Sequence, residues 1–131
     1  MDKISNDGYL ILKKIVERLE DGYLKLNVNG VYMPLIAELV NHSIWNGIEF
    51  KHISLAHYGE CNGDLMADPE MIFLFNEEKE IAIPFYYKND YAGIEQYSIL
   101  TETNICYPKM QTSHTKFAES WLVNMKEQQD L

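Results

Sequence analysis

The sequence predicts an α+β domain: an antiparallel sheet of about four to five strands, with N- and C-terminal helices packed on it. Three observations carry that expectation. The first and last segments place apolar residues at helical spacing. The middle of the chain alternates apolar and polar residues with the period of two expected of a half-buried strand. The breaks between segments are short and rich in Gly, Asn and Asp. None is a linker that would divide the chain, so residues 1–131 read as a single domain.

Leu12, Ile15, Val16 and Leu19 share one helical face, and Lys13, Lys14, Glu17 and Arg18 fill the other. Ser5, Asn6 or Asp7 is placed to cap this helix and Asp21-Gly22 to stop it. Tyr23 to Val28 reads as a strand, because Leu24, Leu26 and Val28 alternate with Lys25, Asn27 and Asn29, and Asn29-Gly30 then turns the chain. Tyr32 to His42 has Leu35, Ile36, Leu39 and Val40 at helical spacing with Pro34 in a first turn, which favours a helix; pairing as a strand after the Asn-Gly turn is the alternative. Ser43 to Gly47, carrying Trp45, reads as a loop.

Ile48 to Tyr58, Met71 to Asn76 and Glu80 to Tyr87 are rich in β-branched and aromatic residues and are expected to be strands. Asn76-Glu77-Glu78-Lys79 connects the last two. Ile81, Ile83, Phe85 and Tyr87 are expected on one face, while Pro84 argues for an edge or a bulge. Lys88-Asn89-Asp90 turns into a weaker strand, Ile94 to Leu100, and Thr101 to Gln111 reads as loop. A final helix is expected from about Ser113 to Gln128, capped by Thr112 or Ser113 and anchored by Phe117, Trp121, Leu122 and Met125.

The formal charge is −9, and it is unevenly placed. From His52 to Pro108 ten acids face only Lys79 and Lys88, a net of −8, whereas the remainder is nearly neutral at −1. Direct binding to nucleic-acid phosphate is disfavoured, since it depends on clustered Lys and Arg. A basic protein or nucleoprotein surface, or a metal cation, is the favoured partner. No apolar run approaches the roughly 20 residues of a membrane helix, and Met1 to Asp7 has no secretory character. Cys61 and Cys106 lie outside metal-ligand spacing and read as free thiols in a reducing cytoplasm. The acids Glu60, Asp64, Asp68, Glu70, Glu77, Glu78 and Glu80 are the candidate binding surface. The tyrosines Tyr86, Tyr87, Tyr91 and Tyr97 form an aromatic group near them.

The densest stretch for chemistry runs from His57 to Glu70, a segment expected to loop between two strands. His57, Asp64, Asp68 and Glu70 are its candidate metal ligands, and with Glu60 they are the residues a metal-dependent hydrolase would use. The spacing matches neither a calcium loop nor a zinc motif. No phosphate-cradling glycine loop is present and no cofactor is expected. The structural alternative is a loop in which Asp64 and Asp68 accept backbone amide hydrogen bonds.

Ile53 to Tyr58 (Ile-Ser-Leu-Ala-His-Tyr), Asn62 to Met66 (Asn-Gly-Asp-Leu-Met) and Asp68 to Phe73 (Asp-Pro-Glu-Met-Ile-Phe) together resemble a family of uncharacterised domains found in bacteria, phages and conjugative elements. Tyr32 to Leu35, Pro84 and Asn89-Asp90 are weaker echoes. Gly59-Glu60-Cys61 departs from the aromatic–acid–Gln run expected there. The resemblance implies a mobile-element setting and no mechanism. With the charge, it leads to a non-catalytic acidic binding protein as the expected function, an inhibitor of a host defence nucleoprotein complex acting as a nucleic-acid mimic. The alternatives are the hydrolase and an accessory subunit of replication or transfer.

Overall fold

The computed structural model describes residues 1–28 and 30–131. The expected Asn29-Gly30 turn rests on Asn29, outside the described residues. Helix α1 (Asn6–Glu17) is followed by strands β1 (Tyr23–Leu26), β2 (Leu35–Trp45), β3 (Ile48–Cys61), β4 (Asp64–Asn76), β5 (Ile81–Asn89) and β6 (Ile94–Tyr97). A two-stranded ladder, β7 (Ile99–Leu100) with β8 (Ile105–Cys106), leads into helix α2 (Pro108–Gln128). The main sheet has six strands, against the four to five expected, in the sequential antiparallel order β1-β2-β3-β4-β5-β6.

Of the three capping candidates for α1, Ser5 is the one used: its Oγ accepts the Gly8 amide at 3.1 Å. At the other end of the chain the expected cap by Thr112 or Ser113 is not made. Helix α2 begins at Pro108, whose fixed φ suits a first turn, and Ser113 already lies inside it, donating back to the Lys109 carbonyl at 3.1 Å.

The Tyr32 to His42 segment is not a helix and Ser43 to Gly47 is not a loop; both are overturned by strand β2. Leu35 and Ala37 are fully buried on one side of it. Asn46 and Gly47 both take positive φ, 50° and 76°, which makes the tight two-residue hairpin whose twist matches its flanking strands. Asn62 (53°) and Gly63 (85°) do the same between β3 and β4. The His57 to Glu70 segment is therefore paired strand almost to the hairpin tip, with Glu60 opposite Leu65 and Cys61 opposite Asp64.

Three register shifts interrupt the ladders: at Val40 in β2, at Asp68-Pro69 in β4 opposite His57, and at Phe85 in β5. Each extra residue flips the side-chain alternation beyond it. The last one corrects an expectation: Ile81, Ile83 and Phe85 share a face, but Tyr87 is on the other, packed on Phe117 of α2 at 5.3 Å between ring centroids. Pro84 is accommodated beside this bulge, as its lack of an amide hydrogen requires.

Both helices lie on one face of the sheet. There Leu12 and Ile15 of α1 and Trp121, Leu122 and Met125 of α2 pack on Ile53, Leu55, Met71, Phe73 and Phe75. Tyr9 stacks on Phe75 with ring centroids 5.6 Å apart. Phe117 remains 38% exposed and is the outer edge of this core rather than an anchor of it. The opposite face has a smaller cluster, Phe50, Leu74, Ile83, Phe85 and Tyr86, closed over by Ile99 of β7.

Candidate functional site

Residues directly opposite each other in antiparallel strands project from the same face. Read across the face away from the helices, the register lines up Tyr23, Glu38, Ser54, Ile72, Tyr86 and Tyr97 in one row. The adjacent row is Lys25, Ile36, Ala56, Glu70, Lys88 and Glu95. Among the described residues no helix covers this half of the sheet. Small buried Ser54 and Ala56 form a floor, and tyrosines and carboxylates from five other strands or strand ends stand around it.

These polar groups are tied to one another. The Ser54 hydroxyl donates to Glu70 Oε2 at 2.7 Å, and the Tyr86 hydroxyl donates to Glu95 Oε2. The Tyr86 and Tyr97 rings meet at 4.8 Å between centroids. Burial, and then the charges of Glu70, Glu38 and Asp90, push the Tyr58 hydroxyl up to about 12. Burial, and then the bond to Glu95, raise Tyr86 as well. Both tyrosines therefore stay protonated donors across the physiological range, amid carboxylates that accept. Beside Tyr97, Phe85 and Ile99 wall an apolar recess of about 250 Å³. An aromatic and acidic surface with an apolar recess is equipped to hold guanidinium or ammonium groups and the stems that carry them.

The candidate surface drawn from sequence divides on this geometry. Glu70 stands in the open face. Glu60 and Asp64 lie at the β3–β4 hairpin tip and are exposed. Glu77, Glu78 and Glu80 occupy the β4–β5 turn at the opposite end of the sheet, roughly 40 Å away along β4. Glu77 pairs with Lys13 of α1 at 3.9 Å. The seven acids thus do not make one surface.

The candidate metal ligands are not brought together either. His57 faces the helices, its ring 5.6 Å from Trp121 and its Nδ1 3.0 Å from the Pro34 carbonyl oxygen, while Glu70 projects from the other face. Among the described residues no three His, Cys, Asp or Glu side chains are grouped to hold an ion. The amide acceptor in this region is Asp90, which takes the Ala67 N–H at 2.7 Å, in place of the expected Asp64 and Asp68; Asp68 instead accepts from Asn89 Nδ2 at 3.4 Å. Both cysteines are free. At Gly59 the chain needs space rather than backbone freedom: a side chain there would collide with the hydroxyl of Tyr91, whose ring lies over the bare backbone. The aromatic group expected at this position is supplied by the turn after β5.

Sequence reasoning missed Tyr23, Glu38 and Tyr58. Each sits on a strand that carries several other polar residues, and its place on the open face is fixed only once the register is known.

Among the described residues no helix is long and apolar enough to cross a membrane. The family model for a domain of unknown function (DUF6908) matches residues 7–131, and the chain belongs to that family. No curated protein and no solved structure matches it.

Proposed function

We propose that the chain is a non-catalytic binding protein whose open sheet face receives a basic segment of a partner protein. The observation that carries this reading is the pair of cross-strand rows in which tyrosines and carboxylates from β1 to β6 stand side by side, uncovered by either helix. The net charge of −9 favours a cationic partner by long-range attraction, and tyrosine supplies contact area at low entropic cost. In its most specific form the partner is a basic groove of a host defence nucleoprotein complex. That form draws on the acidic charge and the sequence resemblance to domains of mobile elements.

A partner recovered with tagged protein from the native cell is purified and titrated against three variants. Glu38→Lys with Glu70→Lys reverses charge on the open face. Glu77→Gln with Glu78→Gln and Glu80→Gln neutralises one turn; Glu60→Gln with Asp64→Asn neutralises the other. The open-face variant should weaken binding by about 100-fold or more, in line with two like-charge contacts, and the tip variants by less than about threefold. Binding that depends on the tips and ignores the face would overturn the proposal.

A further inference from the structure

Strand β1 pairs with only the first part of β2, from Leu35 to Glu38, and its reach ends where the Leu39 amide donates to the Gly22 carbonyl. Beyond it, Val40 to Trp45 has β3 on one side and, among the described residues, no strand on the other. This stretch, Val-Asn-His-Ser-Ile-Trp, carries no Lys, Arg, Asp, Glu or Pro, in a chain of net charge −9. Sheet edges are ordinarily protected by charges, prolines, bulges or short length; this one has a bulge at Val40, and from Asn41 to Trp45 it has no charge, proline or bulge. Val40 is 47% exposed and Ile44 63%.

The hairpin dictates which backbone groups are free. In a two-residue hairpin the flanking pair, here Trp45 and Ile48, exchange both hydrogen bonds, so Ser43 and Asn41 also bond inward. His42 and Ile44 then point their N–H and C=O groups outward. The bulge at Val40 makes this consistent with the outward Leu39 amide, since it shifts the alternation by one. The His42 N–H is meanwhile held by its neighbour's Asn41 Oδ1 at 2.8 Å, a local bond that an incoming strand would replace.

We propose that this edge pairs with the same edge of a second copy of the chain, antiparallel about a two-fold axis beside Ser43. That register sets His42 against Ile44 of the second copy, and Ile44 against His42, joining the outward groups in two hydrogen-bonded pairs. It covers the exposed Ile44 side chains. The charges also agree: Lys51 stands opposite His42 and Glu49 opposite Ile44 on β3, so each cross-strand row of the dimer has one lysine and one glutamate at its flanks. The free stretch is as long as the strand it receives, bounded by Gly22 at one end and the Asn46-Gly47 turn at the other. A partner peptide is the lesser candidate, because a neutral edge does not select a cationic chain, whereas self-pairing needs no charge.

Sedimentation equilibrium from about 1 μM to about 1 mM, the range of weak to moderate affinity, tests this. Wild type should pass from monomer to dimer across that range. Ile44→Pro removes an outward N–H used only between copies and should remain monomeric, with a wild-type circular dichroism spectrum. Ile44→Lys places two ammonium groups near the axis and should also be monomeric, which keeps the test sound if the proline variant fails to fold. A wild type that stays monomeric throughout, even if it takes up an extended peptide at this edge, overturns the proposal. So does a dimer that tolerates Ile44→Lys.

Discussion

The two faces of one sheet are built from the same strands and have opposite characters. On the helix side, Ile53, Leu55, Met71, Phe73 and Phe75 are buried by α1 and α2 into a continuous apolar core. On the other side only one end is closed, where Ile99 seals Phe50, Leu74, Ile83 and Phe85. The remaining half presents Glu38, Tyr58, Glu70, Glu95 and Tyr97 around the buried Tyr86, with its carboxylate–hydroxyl bonds, Ser54 to Glu70 and Tyr86 to Glu95, made between neighbours in the register. The difference separates what holds the fold from what is free to bind. Helix-side residues contribute through buried area, roughly 25 cal/mol per Å². The open-face residues that remain in contact with water, Glu95 and Tyr97 above all, add little to stability and keep their contact capacity for a partner, whereas Tyr86 is buried and belongs to both.

The sharpest way to break this division is to cut into each face in turn. Trp121→Ala, on the helix side, removes an indole that contacts His57 and Phe117 and should cost about 3–5 kcal/mol, read from urea denaturation. A wild-type melt would make α2 peripheral and undo the assignment. The second effect is a pH dependence in which both faces take part. Burial lowers the pKa of His52, beneath the open face's apolar end, and of His114 in α2. The unfolded chain takes up these protons near pH 6.5 and the folded chain does not, so stability is full above pH 6.5 and declines as pH falls below it. Urea midpoints at pH 8, 6.5 and 5 should therefore descend, and the slope should lessen in His114→Gln.

Third, Tyr86→Phe deletes one hydroxyl bond to Glu95 and should cost about 1 kcal/mol. It should also soften the alkaline loss of stability, which sets in above pH 10 as unfolded tyrosines ionise before Tyr58 and Tyr86 do. Smallest of all, Tyr97→Ala on the open face should change stability by less than about 0.5 kcal/mol while weakening partner binding. A large loss of stability there would show that the open face is part of the core.

Much of the architecture is legible in the sequence. The α1 face and the alternation in β1 follow from periodicity, and β3, β5 and the second half of β4 follow from their β-branched and aromatic content. Trp121, Leu122 and Met125 anchor α2 as their spacing requires. Asp64 to Glu70, expected as loop, is instead the first half of β4. Two of the failures, in β2 and at Tyr87, have a common physical source in the bulges. In β2 the extra residue at Val40 sets Leu39 and Val40 side by side, and with Leu35 and Ile36 they imitate helical spacing. Counting back from the Asn46-Gly47 turn would pair Glu38 with Leu55, a helix-side residue; the bulge pairs it with Ser54 and so puts it on the open face. The open-face rows were illegible for that reason, although Tyr86, Tyr97 and Glu70 were individually visible. The start of α2 was hidden differently: its first turns bury Gln111 and His114, held by the Asp2 backbone and Ser98, so no apolar periodicity marks them.

That attachment of Asp2 to Gln111 also bears on how the chain is made. The Asp2 amide donates to Gln111 Oε1 at 2.6 Å and the Gln111 side chain returns a bond to the Asp2 carbonyl, while Ser5 is held by Glu119, contacts spanning more than a hundred positions. On a ribosome the residues before Pro108 emerge first, and the sheet can assemble with α1 alone beside it. At about 5–20 residues per second, α2 follows only seconds later, and until it does Leu55, Met71 and Phe73 lack half their cover. A nascent chain halted before Pro108 would be a complete six-stranded meander with an uncovered apolar flank, its amino terminus held to β5 only through the Ile4 amide on the Ala82 carbonyl. Exposed apolar surface of that kind makes such an intermediate prone to aggregation until α2 docks.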